Sequence, residues 1–217
     1  MKGFWNVIFG FAVKDKILAL TFDDGPNPVF TPQILHLLKK YDVRATFFVT
    51  GNKVEKHPDI VQQAITDGHQ IANHSYDHRN FLFRSLKSLR EDIHKTDVLL
   101  RSCGVEGNIP FRPPFGRFAF SLLLLTAKLQ KKIIMWNIPT KDYKAKTCDQ
   151  ILQKVYQKVK PGGIIVMHDA GKELQKEVDR SFTVLALEKY LPELLKQGYK
   201  FYTINELINR NCNRSAR

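Results

Sequence analysis

Cysteine is scarce in this 217-residue chain, with only Cys103, Cys148 and Cys212, far apart and without a CxxC pair. That pattern excludes a disulfide framework and a cysteine zinc site, and an odd count of isolated thiols suits a reducing compartment. The cytoplasm is the expected location. The apolar stretch at the start, Gly3 to Val13, is 11 residues, too short for a spanning helix, which needs about 20. It has no A-x-A cleavage site before Lys14, which argues against a secretory signal. With Phe4, Trp5 and Phe9 it reads either as an interfacial membrane anchor or as a segment packed on the fold, so residues 1–15 are set apart.

Acidic residues are in deficit: 21 Asp and Glu face 34 Lys and Arg, a formal charge of +13. The bases are dispersed over expected helix faces (Lys39, Lys40, Lys128, Lys131, Lys132, Lys154, Lys158). There is no basic stripe and no recognisable module, which argues against nucleic acid as a partner. A dispersed excess suits an anionic setting such as a membrane surface. Repeats, low-complexity tracts and linker-like stretches are absent too, so residues 16–217 read as a single domain. Nothing in the sequence fixes the oligomeric state.

What the chain does contain is alternation of short apolar runs with amphipathic stretches. Strands are expected at "ILALTF", "ATFFVT", "HQIANH", "IPFRP", "KIIMW", "GIIVMH" and "KFYTI". Helices are expected between them: one opened by Thr31 as N-cap with Pro32 at its first position, one from Pro58 closed by Gly68, and one over about Ser85–Cys103. Two more follow at about Asp149–Val159 and Ser181–Gln197, the last kinked at Pro192 and ended by Gly198. Seven strands alternating with helices imply right-handed βαβ units closed, or nearly closed, into a barrel. In such folds reactive groups gather at the carboxyl ends of the strands.

The strand ends are where this chain spends its chemistry. The first ends in Asp23-Asp24 within "LTFDDGPNP". Adjacent acids at a turn are often backbone caps, but other strand ends carry His74 and His78, Arg112, Asp142 and His168. His74 and His78, four apart, point the same way if the segment is a helical turn. Joined by one carboxylate of the Asp pair, they form a two-His, one-carboxylate set with positions left open. Zinc, iron, cobalt or manganese suits such a set. The second Asp is then free as a general base, and a cation's charge makes the like-charge pair tolerable. Arg112, stiffened by Pro113-Pro114, would hold the base ionised and oriented. His168, paired with Asp142, is a candidate general acid with a raised pKa. His36, His57, His69 and His94 read as structural.

The motifs "TFDDGP", "HSYDH", "RPPFG", "WNIPTKDY" and "VMHD", spread over about Lys16 to Leu207, resemble those of the NodB-like polysaccharide deacetylases, carbohydrate esterase family 4. The likeness is to the chitooligosaccharide and peptidoglycan N-acetylglucosamine deacetylases. It implies a distorted (β/α)7 barrel and hydrolysis of N-acetyl groups with release of acetate. It implies Asp23 as base, with Asp24, His74 and His78 holding one divalent metal, zinc above Co2+, Mn2+ or Ni2+. Arg112 would orient the base, and Asp142 would tune the acid His168. The Phe115 N–H would help hold the oxyanion, and Trp136 and Val166 would line the acetyl pocket. In the fourth motif Asn137, Pro139 and Tyr143 depart from the family pattern, which alters the groove wall and puts the substrate, more than the chemistry, at issue. A lipid-linked or cell-surface amino sugar, deacylated or deformylated, and a non-catalytic glycan-binding relative are the alternative readings.

Overall fold

The computed structural model describes residues 6–172 and 178–214. A short β1 (Val7–Ile8) precedes the central strand β2 (Ile17–Asp23), then α1 (Phe30–Lys40), β3 (Thr46–Val49), the single turn α2 (Gly51–Val54), α3 (Pro58–Thr66) and β4 (Gln70–Asn73). The middle of the chain supplies α4 (Leu86–Ser102), α5 (Phe120–Lys128), β5 (Ile133–Ile134) and β6 (Ile138–Pro139). It ends with α6 (Cys148–Lys158), β7 (Gly163–His168), α7 (Ser181–Lys196), β8 (Lys200–Phe201) and α8 (Ile204–Arg214).

Every strand pairing is parallel. The order β4-β3-β2-β7-β6 closes on itself through Phe111, which bridges Asn73 of β4 to Ile133 of β5. The chain then runs directly from β5 to β6, which pairs with β7. The expected strand "IPFRP" is thus reduced to a bridge at Phe111. β8 pairs only with Ile17 and Leu18 at the start of β2, so the ring is a distorted (β/α)7 barrel.

All seven residues of β2 are buried, as expected of a parallel strand covered on both faces. Its alternate residues separate two cores. Leu18, Leu20 and Phe22 pack outward against α1 and α7, while Ile17 and Ala19 pack inward with Phe48, Ile134 and Ile164. Continuing that period of two, Thr21 and Asp23 also face the barrel interior. The same count along β7 sends Ile165 and Met167 outward and turns Ile164, Val166 and His168 inward.

Several local expectations are corrected. Thr31 does not cap α1: the helix starts at Phe30 with Val29 in the cap position, and the Asn27 Oδ1 accepts the N–H groups of Val29 and Phe30, each at 2.8 Å. Pro32 is therefore the third helical residue, and the Thr31 hydroxyl is free to bond elsewhere. The helix expected from Ser181 does form, to Lys196, with Pro192 inside it. Gly68 and Gly198, at φ +79° and +84°, end α3 and α7 in the left-handed region that glycine enters without a Cβ penalty.

At the N-terminal side, β1 pairs with β5 and Phe11 is buried and bonded through its N–H to the Gly162 carbonyl at 2.8 Å. From residue 6 onward this segment packs on the barrel, although Phe9 is exposed. Phe4, Trp5 and the Cys212 side chain lie outside the described residues. Among the described residues no helix is long and apolar enough to cross a membrane.

Candidate active site

β2 ends in a turn where Asp24 takes φ +77°, so the two adjacent carboxylates diverge. Asp23 stays on the interior face. There the wholly buried Arg112 reaches it, Nη1 to Oδ1, at 2.5 Å. The guanidinium is fixed on all sides: Nη1 also donates to the Thr21 hydroxyl at 2.9 Å, Nε to the Ile134 carbonyl at 3.0 Å and Nη2 to the Met135 carbonyl at 3.1 Å. It lies over the Phe48 ring, 3.9 Å from the centroid. Burial pushes the Arg112 pKa down and Asp23 opposes that.

Asp24 turns instead toward two imidazoles. Its Oδ1 is 3.4 Å from Nε2 of His74 and 3.2 Å from Nε2 of His78. The histidines are brought together by a loop and not by the helical turn expected of their spacing: Ser75 and His78 both have positive φ, 71° and 57°. The His74 ring is aimed by a bond from Nδ1 to the Arg112 carbonyl at 2.8 Å, which leaves Nε2 facing Asp24. Burial raises the Asp24 pKa, but His74 and His78 outweigh it and hold the carboxyl well below its usual range. Burial pushes His78 down, toward the neutral ring a metal requires, partly against Asp24.

Asp24, His74 and His78 are all buried and offer ligand atoms within 4.8 Å of one another. The Asp24 Oδ1 has no hydrogen-bond partner, although burying a carboxylate oxygen without one is costly. A divalent cation held by these residues would supply the missing partner, so the three residues fit a metal.

On the neighbouring strand, His168 is the register partner of Asp23. Asp142, in a single turn after β6, accepts from the His168 backbone N–H at 2.7 Å and lies 2.8 Å from its Nδ1. Thr140 and Thr183 donate to the same carboxylate at 3.1 and 2.9 Å. Burial alone lowers the His168 pKa, but Asp142, with Asp24 and Asp23 further off, raises it to about 9.

Asp23, Asp24, His74, His78 and His168 line one cavity of about 900 Å³, together with Phe115, Trp136, Tyr143 and Val166, while Arg112 and Asp142 are buried behind them. Phe115 has φ +60° and sets its ring edge against His78, centroids 4.6 Å apart. Tyr143, half exposed, meets His168 edge-on at 5.3 Å. Of the departing fourth-motif residues, Pro139 and Tyr143 line the cavity, whereas Asn137 accepts the Ile164 N–H at 2.9 Å and serves barrel closure. The structure thus brings Asp23, Asp24, His74, His78, Arg112, Asp142 and His168 together at one end of the barrel and leaves Asn137 outside the cavity wall.

Sequence reasoning missed a buried layer beneath the site. Asp169 accepts from Thr31 at 2.6 Å, burial pushes its pKa up to about 6, and a Cβ at Gly25 would come within 2.2 Å of its carboxylate. Lys53 is also buried there. The available signal for Asp169 was its place beside His168 in "VMHD"; for Lys53, on a polar-looking turn, there was none.

The polysaccharide deacetylase family model matches residues 12–134. A peptidoglycan-N-acetylglucosamine deacetylase of Bacillus cereus is 39% identical over 198 residues, covering 90% of this chain and 89% of the relative. The solved Bc1960 peptidoglycan N-acetylglucosamine deacetylase superposes with a TM-score of 0.85 at 33% identity, over 94% of this chain and 92% of its own. BA3943 of Bacillus anthracis, a CE4 family pseudoenzyme, does so with a TM-score of 0.82 at 31% identity, over 93% of this chain and 68% of its own. With barrel, motif order and family model in agreement, the chain belongs to the polysaccharide deacetylase family, carbohydrate esterase family 4.

Proposed function

We propose that the chain is a metal-dependent deacetylase that hydrolyses the N-acetyl group of N-acetylglucosamine units in a glycan, giving acetate and a free amino sugar. The observation that carries this reading is the pairing of Asp23, held by Arg112, with His168, held by Asp142, on adjacent strands of one pocket that also holds the Asp24, His74, His78 cluster.

The acetamide enters with its methyl group toward Trp136 and Val166. Asp24, His74 and His78 would hold a divalent cation, which when bound would supply Lewis acidity toward the acetyl carbonyl and the attacking water. Two imidazoles and one carboxylate suit zinc. Asp23 Oδ1 is committed to Arg112, and Oδ2, 3.9 Å from His74 Nε2, takes the proton from the water. Phe115, on the cavity wall, would offer its backbone N–H to the oxyanion that develops as the water oxygen bonds to carbon. His168, with Nδ1 fixed by Asp142, gives its Nε2 proton to the amine nitrogen as the C–N bond breaks.

A pseudoenzyme among the solved neighbours means that overall likeness alone does not carry activity. The complete set of base, acid and ligands favours catalysis here. Acetate release from N-acetylglucosamine oligomers should vanish on chelation and return with zinc. Absence of release from any N-acetylated glycan, with metal demonstrably bound, would overturn the reading.

A further inference from the structure

Lys53 takes no part in the chemistry above, yet it lies directly under the site. It sits on α2, 6% exposed. Its Nζ donates to the Asp24 carbonyl at 2.7 Å and to the Gly171 carbonyl. The first acceptor is the main chain of a residue of the metal cluster; the second belongs to the loop three residues beyond His168, which lines the pocket.

A buried ammonium is unfavourable unless its charge and donors are matched. Burial lowers the Lys53 pKa, with the Asp24 and Asp169 charges opposing that and Arg180 adding to it; the donors are matched by the two peptide carbonyls. The peptide being held is a demanding one. Asp24 is left-handed at φ +77°, a region that is unfavourable for a residue with a Cβ. Such a conformation persists when its surroundings over-determine it. Other ties on this turn include the Thr50 N–H to the Gly25 carbonyl at 2.9 Å and the Thr50 hydroxyl, which lies at a longer 3.5 Å from both the Asp24 and Gly25 carbonyls, with Asp169 packed where a Gly25 side chain would be.

We propose that Lys53 is a positioning residue of the metal site. Its ammonium fixes the Asp24 peptide so that Oδ1 stays aimed between the two histidine Nε2 atoms, and it ties the loop after His168 to that same peptide. This rests on reading Asp24, His74 and His78 as metal ligands.

The test is zinc affinity of the purified protein, by competition with a chromophoric chelator, alongside thermal unfolding. Lys53→Met keeps the chain length but removes all donors, and the loss of such a support weakens metal binding by about 10- to 100-fold. Lys53→Arg, which keeps charge and donors, should recover part of the loss. Leu194→Ala, in the core between α7 and the sheet, should lower the melting temperature and leave zinc affinity at the wild-type value. If Lys53→Met does not fold, Lys53→Gln, with one donor group, carries the same comparison. Wild-type zinc affinity in the Met or Gln variant overturns the positioning role and leaves the metal site standing. Failure of the wild type itself to bind zinc overturns both.

Discussion

Asp23 and His168 are direct neighbours in the parallel ladder between β2 and β7, and both side chains point into the same cavity. Adjacent strands run about 4.8 Å apart, so this register alone sets a base beside an acid. Each is then held from outside the pair by a partner of opposite charge, Arg112 for the carboxylate and Asp142 for the imidazole. A slip of one residue in either strand would turn its group into the outer core, where Phe22 and Met167 now pack.

The Asp142–His168 pair makes a pH prediction. With its pKa raised to about 9, His168 stays protonated through neutrality, and activity should fall along an alkaline limb near that value. Asp142→Asn removes the charge responsible, so the limb should move toward the ordinary histidine value of about 6.5. The linkage sign follows from a folded pKa above the unfolded one: the pair's stabilisation is full below about 6.5 and is lost as pH rises through about 9. Melting temperatures of the wild type should therefore decline over that window, and those of Asp142→Asn should decline less. A limb that does not move in the variant would remove His168 from the role of acid.

Asp23 and Asp24 should separate by mutation as they do in space. Asp23→Asn preserves shape and leaves the Asp24, His74, His78 cluster untouched, so zinc content should equal that of the wild type. Turnover should drop by about 10²- to 10⁴-fold, the usual worth of a positioned general base. Zinc analysis and acetate release on one preparation check both halves. Wild-type turnover in Asp23→Asn would assign the base elsewhere.

Much of this was legible in the sequence because it depends on period and order. Six of the seven expected strands form, and strand-end chemistry predicted which residues meet. What escaped was set by tertiary contact. α8 was not anticipated, α5 was foreshadowed only by Lys128 on an expected helix face, and "IPFRP" has strand composition but pairs only at Phe111 among the described residues. Asn27 outcompeted Thr31 as the start of α1 because Thr31 is drawn to Asp169. The His74–His78 spacing suggested a helical turn, but left-handed residues at 75 and 78 bring the rings together by another route. Lys53 was invisible because a lysine is expected in water, and only the fold shows two carbonyls waiting for it.

Arg112 joins the two halves of the site, since its side chain holds Asp23 and its carbonyl aims His74. Substitution at this position tests the side chain alone, because the carbonyl survives. Arg112→Met fills similar space but leaves the Asp23 carboxylate buried without a counter-charge, and the Ile134 and Met135 carbonyls without donors. Breaking a buried ion pair from one side costs about 3–5 kcal/mol. Arg112→Lys keeps the charge, but an ammonium cannot reproduce a planar fork that reaches Asp23, Thr21 and two strand carbonyls at once. Urea unfolding of the metal-free proteins should rank wild type above Arg112→Lys and Arg112→Met last. Working without metal keeps any loss of zinc affinity out of the comparison. Arg112→Met within about 1 kcal/mol of wild type, the range of an exposed pair, would mean that the guanidinium does not govern the buried carboxylate.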